Sequence, residues 1–211
     1  MASCHHEVRR LRPVALLEKR TREDPRRGET ERAFLAATEA LLAEGASFAD
    51  LNVSRIAKRA GRTRTAFYAH FEDRRDLLVR LVEDFATEIH GVTSAHWDQP
   101  LALADVRRVV ADLLGTFRAH APLVRALVEA SGYDPEIRAY WSGTIERFVG
   151  LAEERLRRDG RPPAAATATA QALVWMTERT AYQQVVAEDP AVADRTLIAA
   201  LAEIWERTLN G

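Results

Sequence analysis

The sequence predicts an all-α protein of about nine helices, and three observations carry that prediction. Apolar residues past residue 29 recur three and four apart, the spacing that lines one face of a helix. No run of Val, Ile or Thr alternates with polar residues between hairpin turns, as a half-buried strand requires. Turn chemistry cuts the chain at intervals suited to helices: "GASFADLN" at 45–52, "AGRT" at 60–63, "FEDR" at 71–74, "WDQP" at 97–100, "HAP" at 120–122, "SGYDP" at 131–135, "DGRPP" at 159–163 and "EDP" at 188–190.

Residues 1–28 hold eight basic and four acidic residues, two prolines and one short apolar cluster, Val14, Leu16 and Leu17. That is too little to build a core, so a flexible basic arm is expected. The first helix follows, with Phe34, Ala37, Leu41 and Leu42 on one face. Asn52 suits the cap of a second, Thr63 of a third and Asp73 of a fourth, the last carrying Leu77, Leu78, Leu81, Val82 and Phe85. Helical stretches at 102–119, 136–158, 164–187 and 192–209 are rich in Ala, Leu, Glu and Arg, all good helix formers. Three short helices before longer ones place a boundary near residue 74, giving a small head at 29–74 and a body at 75–211. "AAATATAQA" at 164–172 allows close helix approach, at a packed pair or a dimer seam.

The net charge of −1 hides an asymmetry. Residues 1–80 carry 17 Lys and Arg against 12 Asp and Glu, and residues 81–211 carry 13 against 19. A basic front and an acidic back suit a polyanionic partner met by the front alone, although uneven scatter of charge gives a similar imbalance. Apolar runs are too short to cross a bilayer, and the N-terminus lacks the apolar stretch of a secretory signal. A cytoplasmic protein without membrane contact is expected. The single cysteine, Cys4, agrees with a reducing compartment.

Residues 52–71 read as two short helices joined by a tight turn. Ile56 and Ala57 lie on the first, Gly61 supplies a permissive backbone at its end, and Ala57 with Gly61 removes bulk that would hold the pair apart. On the second, Phe67 and Phe71 turn inward, while Arg64 and Tyr68 share a neighbouring face flanked by Thr65. Arg64 in the first turn can reach a guanine edge in double-stranded DNA; Thr63, Tyr68 and His70 can bond phosphate oxygens. Arg74 can meet a phosphate from the far side of the groove, and Arg55, Lys58 and Arg59 add charge along the first helix of the pair. A plain surface helix over an aromatic core has the same composition and stays open as a reading.

The stretch "LNVSRIAKRAGRTRTAFYAHFEDRRDLLVRLVED" resembles the N-terminal signature of the TetR family of bacterial transcriptional regulators. Ile56, Ala57, Ala60, Gly61, Thr63, Ala66, Tyr68, His70, Phe71, Arg74, Leu77 and Leu78 occupy its pattern positions, and "TERAFLAATEALLAEG" is similar to its first helix. Arg62, Thr65 and Arg75 depart from the usual residues, Arg62 leaving the turn less buried but offering a further phosphate contact. In the body, "AYWSGTIERFVGLAEERLRRDG", "LVWMTERTAYQ" and "EIWERTLNG" resemble EthR-type repressors. The resemblance implies a homodimer formed through the last two helices, a palindromic operator and an apolar ligand tunnel for a small-molecule effector. Trp141, Trp175, Thr177, Glu178, Tyr182 and Trp205 match EthR-like pocket positions.

Trp97, Phe117 and Phe148 join them as candidate pocket residues, because several rings with polar atoms converging in a small body suit a pocket wall. Ordinary core packing accounts for each ring singly. No cofactor or metal is expected: there is no G-x-G-x-x-G, P-loop, H-E-x-x-H or C-x-x-C, and "CHHE" at 4–7 lacks further ligands. An enzyme is therefore not expected. A helical protein-interaction module stays open as a rival to DNA binding.

Overall fold

The computed structural model describes residues 25–94, 102–186 and 190–210. Nine helices and no strand occur among them: α1 (Pro25–Ala43), α2 (Val53–Arg59), α3 (Arg64–Tyr68), α4 (Arg74–Ser94), α5 (Leu103–Ala119), α6 (Ala121–Tyr133), α7 (Pro135–Arg158), α8 (Pro163–Val186) and α9 (Asp194–Asn210). The expected arm lies outside the described residues up to residue 24, but α1 begins at Pro25 and runs 19 residues. It is neither short nor confined to the region after 29. The apolar stripe that signalled it starts only at Phe34, since periodicity marks where a helix packs rather than where it begins.

Each short helix of the head is held by its caps. The Asn52 side chain accepts from the Arg55 amide at 2.9 Å, and Thr63 Oγ1 from the Ala66 amide at 3.1 Å. Such caps contribute about 1 kcal/mol each. Between the helices Gly61 takes φ +64, the Arg62 amide donates to the Ala57 carbonyl and the Gly61 amide to the Lys58 carbonyl. This is the Schellman closure that a left-handed residue permits. A Cβ at Gly61 would meet nothing within 4 Å, so the glycine serves the backbone angle and not close helix approach.

Tertiary packing holds these short helices, since a five-residue helix such as α3 has too few hydrogen bonds to persist alone. Phe34, Phe67 and Phe71 meet in an aromatic cluster, with Phe34 edge-on to Phe67 at 5.3 Å between centroids and Phe67 against Phe71 at 5.2 Å. Ile56, Phe34 and Phe67 are all fully buried. Burying each such side chain contributes about 1.5–3 kcal/mol.

The core continues unbroken into the body. Helix α7 packs chiefly on α8, α5 on α9, and α4 lies against α5, α6 and α7. Ala166 and Ala170 of the small-residue stretch on α8 are fully buried, as is Ala152 on α7. Among the described residues no helix is long and apolar enough to cross a membrane.

Polar joints tie the start of α4 and the loop after α1 to α7 and α6. Arg75, at the start of α4, reaches the start of α7: its Nε lies 2.8 Å from Asp134 Oδ2 and its guanidinium 2.8 Å from Glu136 Oε2. Asp134 also caps α7, accepting from the amides of Glu136 and Ile137. Between α1 and α2, Ser47 donates to Glu129 of α6 at 2.6 Å.

Candidate functional site

The exposed side of α3 presents Arg64, Thr65 and Tyr68, with Tyr68 52% exposed, while Phe67 on the same helix is 0% exposed. The helix is thus seated by one ring and offers another outward. Arg55 of α2 is exposed beside it. Thr63 is exposed as well, its hydroxyl oxygen capping α3 with its hydrogen available to donate. Arg62 is exposed and 3.6 Å from Glu29 of α1, a solvent-screened pair of little strength. His70 is half-buried, its ring 6.3 Å from that of Phe34 and 6.4 Å from that of Phe71.

Arg74 is placed differently from the expectation. Its guanidinium donates to the carbonyls of Phe48, Ala49 and Leu51 at 3.0, 2.8 and 2.8 Å and lies over the Phe48 ring at 5.3 Å. These bonds pin the loop between α1 and α2, because a buried loop must find donors for carbonyls that no helix satisfies. The side chain that was expected to meet phosphate therefore builds the platform on which α2 stands. Asp73 caps α4 as expected, accepting from the amides of Arg75 and Asp76 at 2.7 and 2.9 Å.

In the body α4, α5, α7, α8 and α9 enclose a cavity of about 310 Å³. Phe117, Trp141, Phe148, Thr177, Glu178 and Trp205, all candidates from the sequence, line it together. Phe85 stands edge-on to Phe117 at 5.2 Å and stacks near Trp141 at 6.4 Å, forming an aromatic wall. Trp205 Nε1 donates to Thr177 Oγ1 at 2.9 Å, and Thr177 Oγ1 donates to the Leu173 carbonyl at 2.8 Å. Glu178 is buried, and burial pushes its carboxyl above the ordinary carboxylate range, with Arg179 pulling the other way. The exposed His90, Ser94, Glu154 and Arg158 mark the edge of the lining.

Two candidates do not reach this wall. Trp175 is 38% exposed on the outer side of α8, and Tyr182, half-buried, has Arg179 over its ring at 5.2 Å. A 3.6-residue turn puts Trp175 and Thr177 on different faces, so the two cannot share one cavity wall. Trp97 lies outside the described residues. Ile89, Val110, Leu113, Ile145 and Leu209 also line the cavity and were missed, because an apolar stripe looks the same whether it faces a neighbour or a void.

A family model described as bacterial regulatory proteins, tetR family, matches residues 34–81. A second, the C-terminal domain of transcriptional regulator EthR, matches residues 106–211, half the chain. The chain belongs to the TetR family, with an EthR-type C-terminal domain. The HTH-type transcriptional regulator EthR of Mycolicibacterium smegmatis is 28% identical over 194 residues, covering 87% of this chain and 88% of that one. The EthR of Mycobacterium tuberculosis is 27% identical over 198 residues, covering 89% and 90%. A TetR-family regulator of solved structure from Syntrophomonas wolfei superposes with a TM-score of 0.68 at 16% identity, over 86% of this chain and 95% of that one, and shows the shared all-α fold.

The chain is thus a TetR-family transcriptional regulator with a DNA-binding helix-turn-helix, and the match at 34–81 contains α2 and α3. The EthR-type match spans far more of the body than the three short stretches legible in the sequence, and it includes α5, α6 and most of the cavity wall. Among the described residues no group of three or more His, Cys, Asp or Glu is placed to hold a metal ion.

Proposed function

We propose that the chain is a ligand-responsive repressor that binds a palindromic operator as a homodimer and leaves it when a small apolar or amphipathic effector fills the body cavity. The observation that carries this reading is α3 itself: Arg64, Thr65 and Tyr68 project from a helix whose opposite side is locked by Phe67. Such a helix, laid in the major groove, reads bases with Arg64 and fixes its register through Thr63, Thr65, Tyr68 and His70 on phosphate. Arg55 and Arg62 strengthen the grip non-specifically. Residues 29–74 serve as the head and 75–211 as the body.

Helix α4 is the element able to connect the two. It starts at Arg74 and Arg75, beside α3, and its later turns line the cavity with Phe85, Ala86 and Ile89. A ligand that favours a different seat for α4 shifts the population toward heads spaced wrongly for the operator. Helices α8 and α9 supply the dimer seam in this reading: Trp175 at 38% and Ile204 at 43% exposure are large apolar side chains facing outward from them. Trp175 then has a role outside the cavity.

The test is selection of bound duplexes from a random pool, followed by fluorescence anisotropy on the best duplex over a salt series. A palindrome whose affinity falls steeply with log[salt] is expected. Recovery of no preferred sequence, or binding indifferent to salt, would point to a protein-interaction module instead. Repeating the titration with small-molecule extract is expected to release the duplex; an extract component that binds but leaves operator affinity unchanged would overturn the effector mechanism.

A further inference from the structure

Three buried polar side chains stand in the cavity wall, and two of them are satisfied by protein. Trp205 donates to Thr177, and Thr177 donates to the Leu173 carbonyl. The third is Glu178, 5% exposed, neither of whose carboxyl oxygens has a hydrogen-bond partner among the described residues. Buried carboxyl oxygens are ordinarily paired, because burying them without donors costs several kcal/mol in an apolar setting. Its helix neighbour Arg179 offsets only part of the cost, since it makes no hydrogen bond to the carboxyl and turns outward over Tyr182. The rest of the wall is mainly hydrocarbon and aromatic ring, from Phe85, Ile89, Val110, Phe117, Ile145 and Phe148, with the exposed His90, Ser94, Glu154 and Arg158 at its edge.

We infer that the cavity takes an amphipathic ligand with a cationic amine at one end, its ammonium on Glu178 and its hydrocarbon body along the apolar wall. This deepens the reading of the cavity as the effector site and rests on it. An ammonium supplies several N–H donors to two empty oxygens and cancels the buried charge, and charge-assisted bonds of this kind are about twice as strong as neutral ones. An alcohol of equal length supplies one donor and no charge. A fatty carboxylate places like charges together and is disfavoured. Burial already raises the Glu178 carboxyl, so its ionised form lacks compensation until a cation arrives.

The experiment uses the full chain and three probes of equal length, n-decylamine, 1-decanol and decanoate. Binding is followed by tryptophan fluorescence, since Trp141 and Trp205 face the cavity, and by calorimetry. Decylamine is expected to bind about ten-fold or more tighter than decanol, a difference of about 1.4 kcal/mol, and decanoate weakest. Glu178→Gln is expected to remove that preference while changing decanol affinity by less than about three-fold, and Glu178→Asp to keep the preference. A thermal melt without probe checks that each variant is folded, and the wild-type comparison of the three probes stands whether or not it is. Equal binding of amine and alcohol by the wild type, or an undiminished amine preference in folded Glu178→Gln, overturns the inference while leaving the cavity as an effector site. Failure of all three probes to bind overturns both.

Discussion

Three side chains carry separable predictions. Arg64→Ala is expected to weaken the selected operator by about 1–3 kcal/mol and to relax preference at one base position in each half-site, read by anisotropy over single-base variants. A uniform loss over all duplexes would make Arg64 a phosphate contact instead. Arg74→Ala acts on stability. Hydrogen bonds from a charged donor are worth about 1.5–3 kcal/mol, so urea unfolding is expected to shift to a lower midpoint by about that much. The salt slope of DNA binding should stay unchanged, because Nη1 of the guanidinium is turned to the loop carbonyls of Phe48, Ala49 and Leu51. Glu178→Gln has a signed pH dependence. The folded carboxyl holds its proton above the unfolded value of about 4.3, so wild-type stability falls as pH rises through that window. The variant is expected to melt higher than wild type at pH 8, with the gap closing toward pH 4. Arg179 is its charged neighbour on α8, and His90, Glu154 and Arg158 share the cavity lining; a gap independent of pH would mean that a cation, Arg179 or Arg158, holds Glu178 ionised.

At the scale of elements, the head shows how short helices survive. A seven-residue α2 and a five-residue α3 have few internal hydrogen bonds, yet both ends of each are capped and one face of each is buried. Their caps were legible because Asn52 and Thr63 stand just ahead of apolar periodicity. Helices α5, α7, α8 and α9 of the body were legible to within about two residues from composition and turn chemistry. Their outward faces were not. On α8, which packs chiefly on α7, the small residues Ala166 and Ala170 are fully buried, whereas Trp175 points to solvent, so one helix serves two partners in the proposed dimer. Trp175→Glu combined with Ile204→Arg is expected to yield a folded monomer by sedimentation, with operator affinity lost to the non-specific level. A dimer that persists would move the seam off α8 and α9.

For the whole molecule the prediction concerns coupling. Arg75 links the first turn of α4 to Asp134 and Glu136 at the start of α7, so a shift of the cavity wall has a polar path to the head. Arg75→Ala is expected to shrink the effector-induced loss of operator affinity by about five-fold or more, within the usual 1–3 kcal/mol range of allosteric coupling. The ratio of operator Kd with and without effector measures it, and an unchanged ratio would route the signal elsewhere. The sequence by itself determined the all-α class, the caps, the inward Phe67 and Phe71 and the outward Arg64 and Tyr68, because each follows from spacing along one helix. Only the tertiary structure decided that Arg74 supports a loop, that Trp175 and Tyr182 stand off the cavity, and that Glu178 lies buried with no hydrogen-bond partner among the described residues. Those facts depend on which face of one helix meets which face of another, a relation between segments far apart in the chain that no local pattern encodes.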